Sequence, residues 1–129
     1  MEKVFNLLLV DDEQDFLDPI AFWLESKKYK VRTASNGKEA IKLIKEETPN
    51  IVLLDINMPE MNGIDTLKHI RDNYGTLPVI MITAEIERLS VLEDMGISGF
   101  FPKGGTLEQL EQLLEPIIRM HAKMNSTKP

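Results

Sequence analysis

The 129-residue sequence contains no cysteine. Disulfides and thiolate chemistry are therefore excluded, and the composition fits a reducing compartment. Basic residues are not in excess either, since 15 Lys and Arg stand against 21 Asp and Glu, for a formal charge of −6. A chain of that sign repels phosphate backbones and anionic lipid, which argues against a general electrostatic grip on nucleic acid or membrane. No apolar run approaches the ~18 residues of a membrane-spanning helix, and the stretch after Met1-Glu2-Lys3 is too short for a signal peptide. The expected location is the cytoplasm. Internal repeats and low-complexity tracts are also missing. What is present is an ordinary globular balance, 43% hydrophobic and 28% charged, in a length suited to one domain.

Short apolar runs alternate with segments of helical period, the pattern of repeated βα units closing on a parallel sheet. Residues 5–10, 51–54 and 79–82 are nearly continuous in apolar side chains, as strands covered on both faces should be. Residues 29–34 alternate and carry Lys30 and Arg32, and Phe100-Phe101 is very short, so these two strands are expected at the sheet edges. Asn36 with Glu39, and Thr106 with Gln109, have the spacing of capping boxes. Ala40, Leu43 and Ile44 form the buried stripe of the first of these helices, which is expected to end near Thr48-Pro49. Leu107, Leu110, Leu113, Leu114, Ile117 and Ile118 form the stripe of the last helix. Pro116 inside it lacks an N–H and is expected to bend or interrupt it. The first helix starts either just after Asp12 or at Asp18-Pro19, since both carry start signals. Ile64, Leu67 and Ile70 mark a third helix, and Ile86, Leu89 and Leu92 a fourth that stops at Gly96. Residues 1–122 are expected to form the domain and 123–129 a polar, frayed tail. His69 and His121 read as surface residues, and Trp23 as core.

Ligands of open parallel α/β sheets bind at the carboxyl ends of the strands. There Val10 gives way to Asp11-Asp12, Leu54 to Asp55 and Ile82 to Thr83, while Phe101 leads past Pro102 to Lys103. Singly, each has an ordinary structural explanation: a helix cap for Asp11, Asp12 or Thr83, a turn for Asp55, a solvated charge for Lys103. Jointly they carry chemistry. Three carboxylates in one place repel one another unless a cation neutralises them, and an oxygen-only donor set suits Mg²⁺. A hard cation, a hydroxyl and an ammonium around one carboxylate describe a phosphoryl-transfer site with Asp55 as nucleophile. Mg²⁺, the Thr83 hydroxyl with the Ala84 amide, and Lys103 supply the separated donors that a phosphoryl group needs.

These residues closely resemble the receiver domain of bacterial response regulators. Asp11-Asp12, Asp55-Ile56-Asn57-Met58-Pro59-Glu60-Met61-Asn62-Gly63, Thr83-Ala84 and Lys103 occur in the family's order, and the resemblance covers about residues 4–120. It implies a flavodoxin-like three-layer sandwich, with five parallel strands in the order 2-1-3-4-5 and helices on both faces. It implies that Asp11, Asp12, Asp55 and the backbone carbonyl of Asn57 bind Mg²⁺. It implies that Asp55 accepts a phosphoryl group from a sensor histidine kinase or a phosphotransfer protein, with small acyl phosphates as substitutes. Thr83 and Phe100 then form a switch that changes the surface of the fourth helix, fifth strand and fifth helix. That surface would meet a downstream protein, an output domain or, on phosphorylation, a second copy of the chain. No nucleic acid or membrane is contacted directly, and catalysis is confined to the domain's own phosphoryl transfer and self-dephosphorylation.

Phe100 has no phenol hydroxyl, so switching would be by packing. The sequence departs from the family after the lysine, where Gly104-Gly105 replaces the usual proline in a cis peptide and Pro102 precedes instead. That leaves the placement of Lys103 open. Asn57 and Glu85 stand at positions that tune aspartyl-phosphate hydrolysis in the family and imply a short-lived phosphoryl state. Rival classes fit less well. An aspartate-nucleophile hydrolase of the haloacid-dehalogenase type needs a second aspartate where Asn57 stands, and an amide transfers no proton. A receiver-like interaction module that does without phosphorylation would not need the intact acceptor and acidic pair. A flavodoxin-like cofactor binder would need a Gly-rich or Ser/Thr-rich loop after Val10.

Overall fold

The sheet follows from where apolar residues can hide. In the computed structural model, which describes residues 5–56, 58, 61–84 and 94–126, β3 (Ile51–Asp55) and β4 (Val79–Thr83) are buried along their whole length. β1 (Asn6–Val10) is buried from its second residue. The polar-interleaved β2 (Lys30–Ala34) and the short β5 (Gly99–Pro102) lie at the edges, as their partial exposure requires. The order is β2-β1-β3-β4-β5 with every pairing parallel. This is the doubly wound arrangement expected from the sequence.

Side chains alternate across the sheet, so each strand feeds two cores. Leu8, Val10, Val52, Leu54, Val79 and Met81 face one side, where Ala40 and Ile44 of α2 (Gly37–Glu46) and Leu67 and Ile70 of α3 (Gly63–Asn73) cover them. Leu7, Leu9, Ile51, Leu53, Ile80 and Ile82 face the other. Leu17, Ile20 and Leu24 of α1 (Gln14–Ser26) and Leu110 and Leu114 of α4 (Leu107–Ser126) cover that side. Trp23 packs half-buried against this second cluster. The helix expected around Ile86, Leu89 and Leu92 falls outside the described residues.

The helix starts show which local signals act. Thr106 Oγ1 accepts from the Gln109 amide at 3.1 Å and Gln109 Oε1 accepts from the Thr106 amide at 2.9 Å, a complete capping box. Asn36 accepts from the Glu39 amide at 2.8 Å, but Glu39 turns to the Ser35 hydroxyl, so that box is half made. Of the two starts open for α1, the chain uses the earlier. Asp11 Oδ1 accepts from the Glu13 amide, the Glu13 carbonyl accepts from Phe16 and Leu17, and Pro19 falls inside the helix. Pro116 does not interrupt α4, which runs continuously to Ser126. Pro116 and Gln112, whose carbonyl the proline leaves without its helical donor, are both exposed, so water can serve that carbonyl. His69 and His121 are half-buried rather than free on the surface. The His121 ring sits edge-on to Phe5 at 5.3 Å, because α4 is long enough to reach the start of the sheet.

Candidate functional site

Register brings the polar strand ends to one line. Val10 pairs with Leu54, Asp55 with Ile82 and Thr83 with Pro102, so Asp11, Asp55, Thr83 and Lys103 emerge along the carboxyl edge of the sheet. Backbone bonds continue past the strands and hold these residues in place. The Asp11 amide donates to Ala34 O at 3.1 Å, Ile56 to Ile82 O at 3.2 Å and Lys103 to Thr83 O at 3.0 Å. Asp11 is 0% exposed and Asp55 2%, while Thr83 is also buried and Asp12 faces solvent.

The loop after Asp55 is fixed by packing. Ile56 and Met58 are buried in the α2/α3 core. The Gly63 amide donates to Ile56 O at 2.9 Å, and a Cβ on Gly63 would lie 2.0 Å from the Asp55 carbonyl oxygen. Only glycine lets α3 start this close to the backbone of Asp55. The Asp-x-x-Met-Pro-x-Met-x-Gly string thus contains an acidic side chain at the sheet edge, an apolar anchor and a backbone contact. Asn57, Pro59, Glu60 and Glu85 lie outside the described residues.

Carboxylate oxygens of Asp11, Asp12 and Asp55 lie within 4.8 Å of one another. A hard divalent cation reaching oxygens at about 2.0–2.6 Å can bridge that span, and the all-oxygen donor set fits Mg²⁺. Lys103 turns into the acidic cluster despite Gly104-Gly105. Its ammonium lies 3.1 Å from Asp11 Oδ2 and 3.6 Å from Asp55 Oδ2, pairs with Glu13, and sits 5.3 Å from the centre of the Phe16 ring. The second glycine has a steric reason. The Gly105 amide closes a turn onto Pro102 O at 2.8 Å, and a Cβ there would crowd the Phe101 ring at 2.9 Å.

Burial pushes the Asp11 carboxyl above its ordinary range, against the Glu13 amide and the Lys103 ammonium, which both pull it down. Burial also works against the charge on Lys103. Hydrogen bonds to Glu13 and Asp11 and the charge of Asp55 outweigh that and hold its pKa well above the usual lysine range. Lys103 therefore stays cationic at any physiological pH. Sequence reading missed Glu13 as a partner of this lysine. The only available signal was a third acid directly after Asp11-Asp12, and the contact spans 90 positions. Phe100, the expected switch aromatic, pairs in register with Met81 and is half-buried against the α2/α3 core.

A doubly wound parallel sheet with a buried carboxylate, an acidic cluster and an ammonium at its carboxyl edge defines an α/β domain of the flavodoxin-like class. The response regulator receiver domain model matches residues 7–115, and the chain belongs to that family. It is 39% identical over 120 residues to the transcriptional regulatory protein CpxR homolog of Haemophilus influenzae, covering 91% of this chain and 52% of that protein. The chemotaxis response regulator CheY4 of Vibrio cholerae is similar with a TM-score of 0.82 at 26% identity, over 89% of this chain and 99% of that one. The response regulator TrrA of Thermotoga maritima, solved in complex with Mg²⁺ and BeF, also has a TM-score of 0.82 at 26% identity, over 88% and 99% of the two chains. The chain spans about half the length of the curated relatives it matches.

Proposed function

We propose that this receiver domain is the phosphoacceptor of a two-component system, with Asp55 as the residue that is phosphorylated. The carrying observation is the setting of Asp55: nearly shut off from water, clustered with Asp11 and Asp12, and 3.6 Å from the Lys103 ammonium. An Asp55 oxygen attacks the phosphorus of a phosphohistidine on a sensor histidine kinase or phosphotransfer protein. The O–P bond forms as the P–N bond breaks, and the imidazole leaves. Mg²⁺ held by Asp11, Asp12, Asp55 and the Asn57 carbonyl would supply Lewis-acid polarisation of the phosphoryl oxygens. Lys103 donates to one of these oxygens, and the Thr83 hydroxyl with the Ala84 amide to another. Hydrolysis of the aspartyl phosphate returns the domain to its starting state, so it turns over only its own modification. The ATP that charges such a kinase is cytoplasmic, which is the ground for locating the domain there.

Thr83 and Phe100 are the proposed switch. Recruitment of the Thr83 hydroxyl to the phosphoryl group would vacate space beside β4, and Phe100, already half-buried against the core, would fill it. The changed surface comprises the segment before β5, β5 itself and α4, and would face an output domain, a separate protein or a second copy. Residues 1–122 are taken as the receiver unit and 123–129 as a tail that begins within the last turns of α4.

Intact-mass measurement after incubation with acetyl phosphate and Mg²⁺ tests the assignment. A single phosphoryl adduct is expected on the wild type and none on Asp55→Asn. No adduct on either protein, or the same adduct on both, would overturn it.

A further inference from the structure

Lys103 reaches three carboxylates, and they are not equivalent. Asp11 and Asp55 belong to the cluster whose oxygens converge within 4.8 Å, and Glu13 does not. Lys103 is 18% exposed, whereas the Glu13 side chain is 61% exposed and makes no cap at the start of α1. The local structure there is carried by the Glu13 amide on Asp11 and the Glu13 carbonyl under Phe16 and Leu17. Among the described residues, the contact made by the Glu13 carboxylate is with Lys103.

We infer that Glu13 is a latch on Lys103, a positioning residue that holds the ammonium at the pocket and competes with the phosphoryl group for it. This rests on the reading of Asp55 as acceptor. An ammonium offers three donors and no more. When Asp11 and Asp55 are taken up by a divalent cation, Glu13 is the anionic acceptor left to Lys103 in the described pocket. Phe16, with its ring 5.3 Å from the ammonium and packed against Phe101, leaves that nitrogen between α1 and β5. Lys103 therefore does not have to be recruited from solvent. It has to be drawn from Glu13 toward the phosphoryl oxygens, and the loss of that close pairing opposes phosphoryl binding.

Titration calorimetry with beryllium fluoride at saturating Mg²⁺, on wild type, Glu13→Gln, Lys103→Met and the double variant, reads the latch directly. Glu13→Gln is expected to bind roughly fivefold more tightly than wild type, the scale of one partly exposed ion pair, and to melt slightly lower, since the ligand-free fold loses that same pair. The gain should vanish in the Lys103→Met background. Equal affinity of Glu13→Gln and wild type would overturn the latch, and so would a gain that persists without Lys103, since that is bulk charge. Where Lys103→Met binds too weakly to titrate, Asp15→Asn decides. It neutralises an exposed acid in the same helical turn, and tightening equal to that of Glu13→Gln would again mean bulk charge. Wild type that binds no beryllium fluoride at all would instead refute the acceptor assignment.

Discussion

At the residue scale, the most consequential feature is a carboxylate whose charge is disfavoured by burial. Asp11 is fully buried, and its folded pKa lies above the ordinary 3.8 because burial disfavours its charge. A raised folded pKa means that the protonated form is preferred on folding. The resulting stabilisation is complete below about pH 3.8 and is lost as pH rises through the folded value. At neutral pH the charge on Asp11 is therefore a cost to the fold. Asp11→Asn is predicted to raise the metal-free melting temperature at pH 7, and the gain over wild type should shrink as pH is lowered toward 4. Scanning calorimetry across that range checks both parts. Gly63 gives a prediction of opposite sign. A methyl group there would sit 2.0 Å from the Asp55 carbonyl oxygen, so Gly63→Ala must push α3 away from β3. The expected loss is about 2–3 kcal/mol in urea unfolding, typical of forced overpacking, with a lower phosphorylation rate because Asp55 moves too.

At the element scale, one side chain of α3 reaches the segments leading into two strands. Arg71 donates through Nε to Gly96 O at 2.9 Å and through Nη1 to Leu77 O at 2.8 Å, linking the helix to the entries of both β4 and β5. A planar guanidinium can serve two diverging carbonyls, and an ammonium cannot in the same geometry. Arg71→Met is predicted to cost about 1–3 kcal/mol in urea unfolding, with Arg71→Lys recovering less than half. This contact also marks where sequence reading stops. The strands were legible because burial on both faces leaves continuous apolar runs, and the starts of α2 and α4 because the capping partners lie three residues apart. The start of α1 was not, since Asp18-Pro19 is as good a local signal as the one used. The choice was made by Asp11, which belongs to the strand edge and not to the helix. The acidic cluster could be inferred from strand ends alone. Lys103 on Glu13 and Arg71 on Gly96 could not, because nothing local encodes a partner 90 or 25 positions away.

At the scale of the whole molecule, charge and site chemistry are coupled. The chain carries a net −6 and gathers three carboxylates at one sheet edge, so the fold holds a concentration of like charge that a bound cation would relieve. A ligand that binds only the folded state stabilises it by mass action, by about 2.7 kcal/mol at a hundred times its dissociation constant. Mg²⁺ is thus predicted to raise the melting temperature in a saturable way, while NaCl of equal ionic strength has a smaller effect that does not saturate. Asp12 separates the site from the fold. It is exposed, in contrast to Asp11, so its charge costs the metal-free fold little. Asp12→Asn should melt within a degree or so of wild type without Mg²⁺, the usual range for a surface substitution, yet lose most of the Mg²⁺-dependent rise. Asp11→Asn should lose the same rise from a higher starting point. If Asp12→Asn keeps the full response to Mg²⁺, the cation is held elsewhere and the cluster at the sheet edge is not its site.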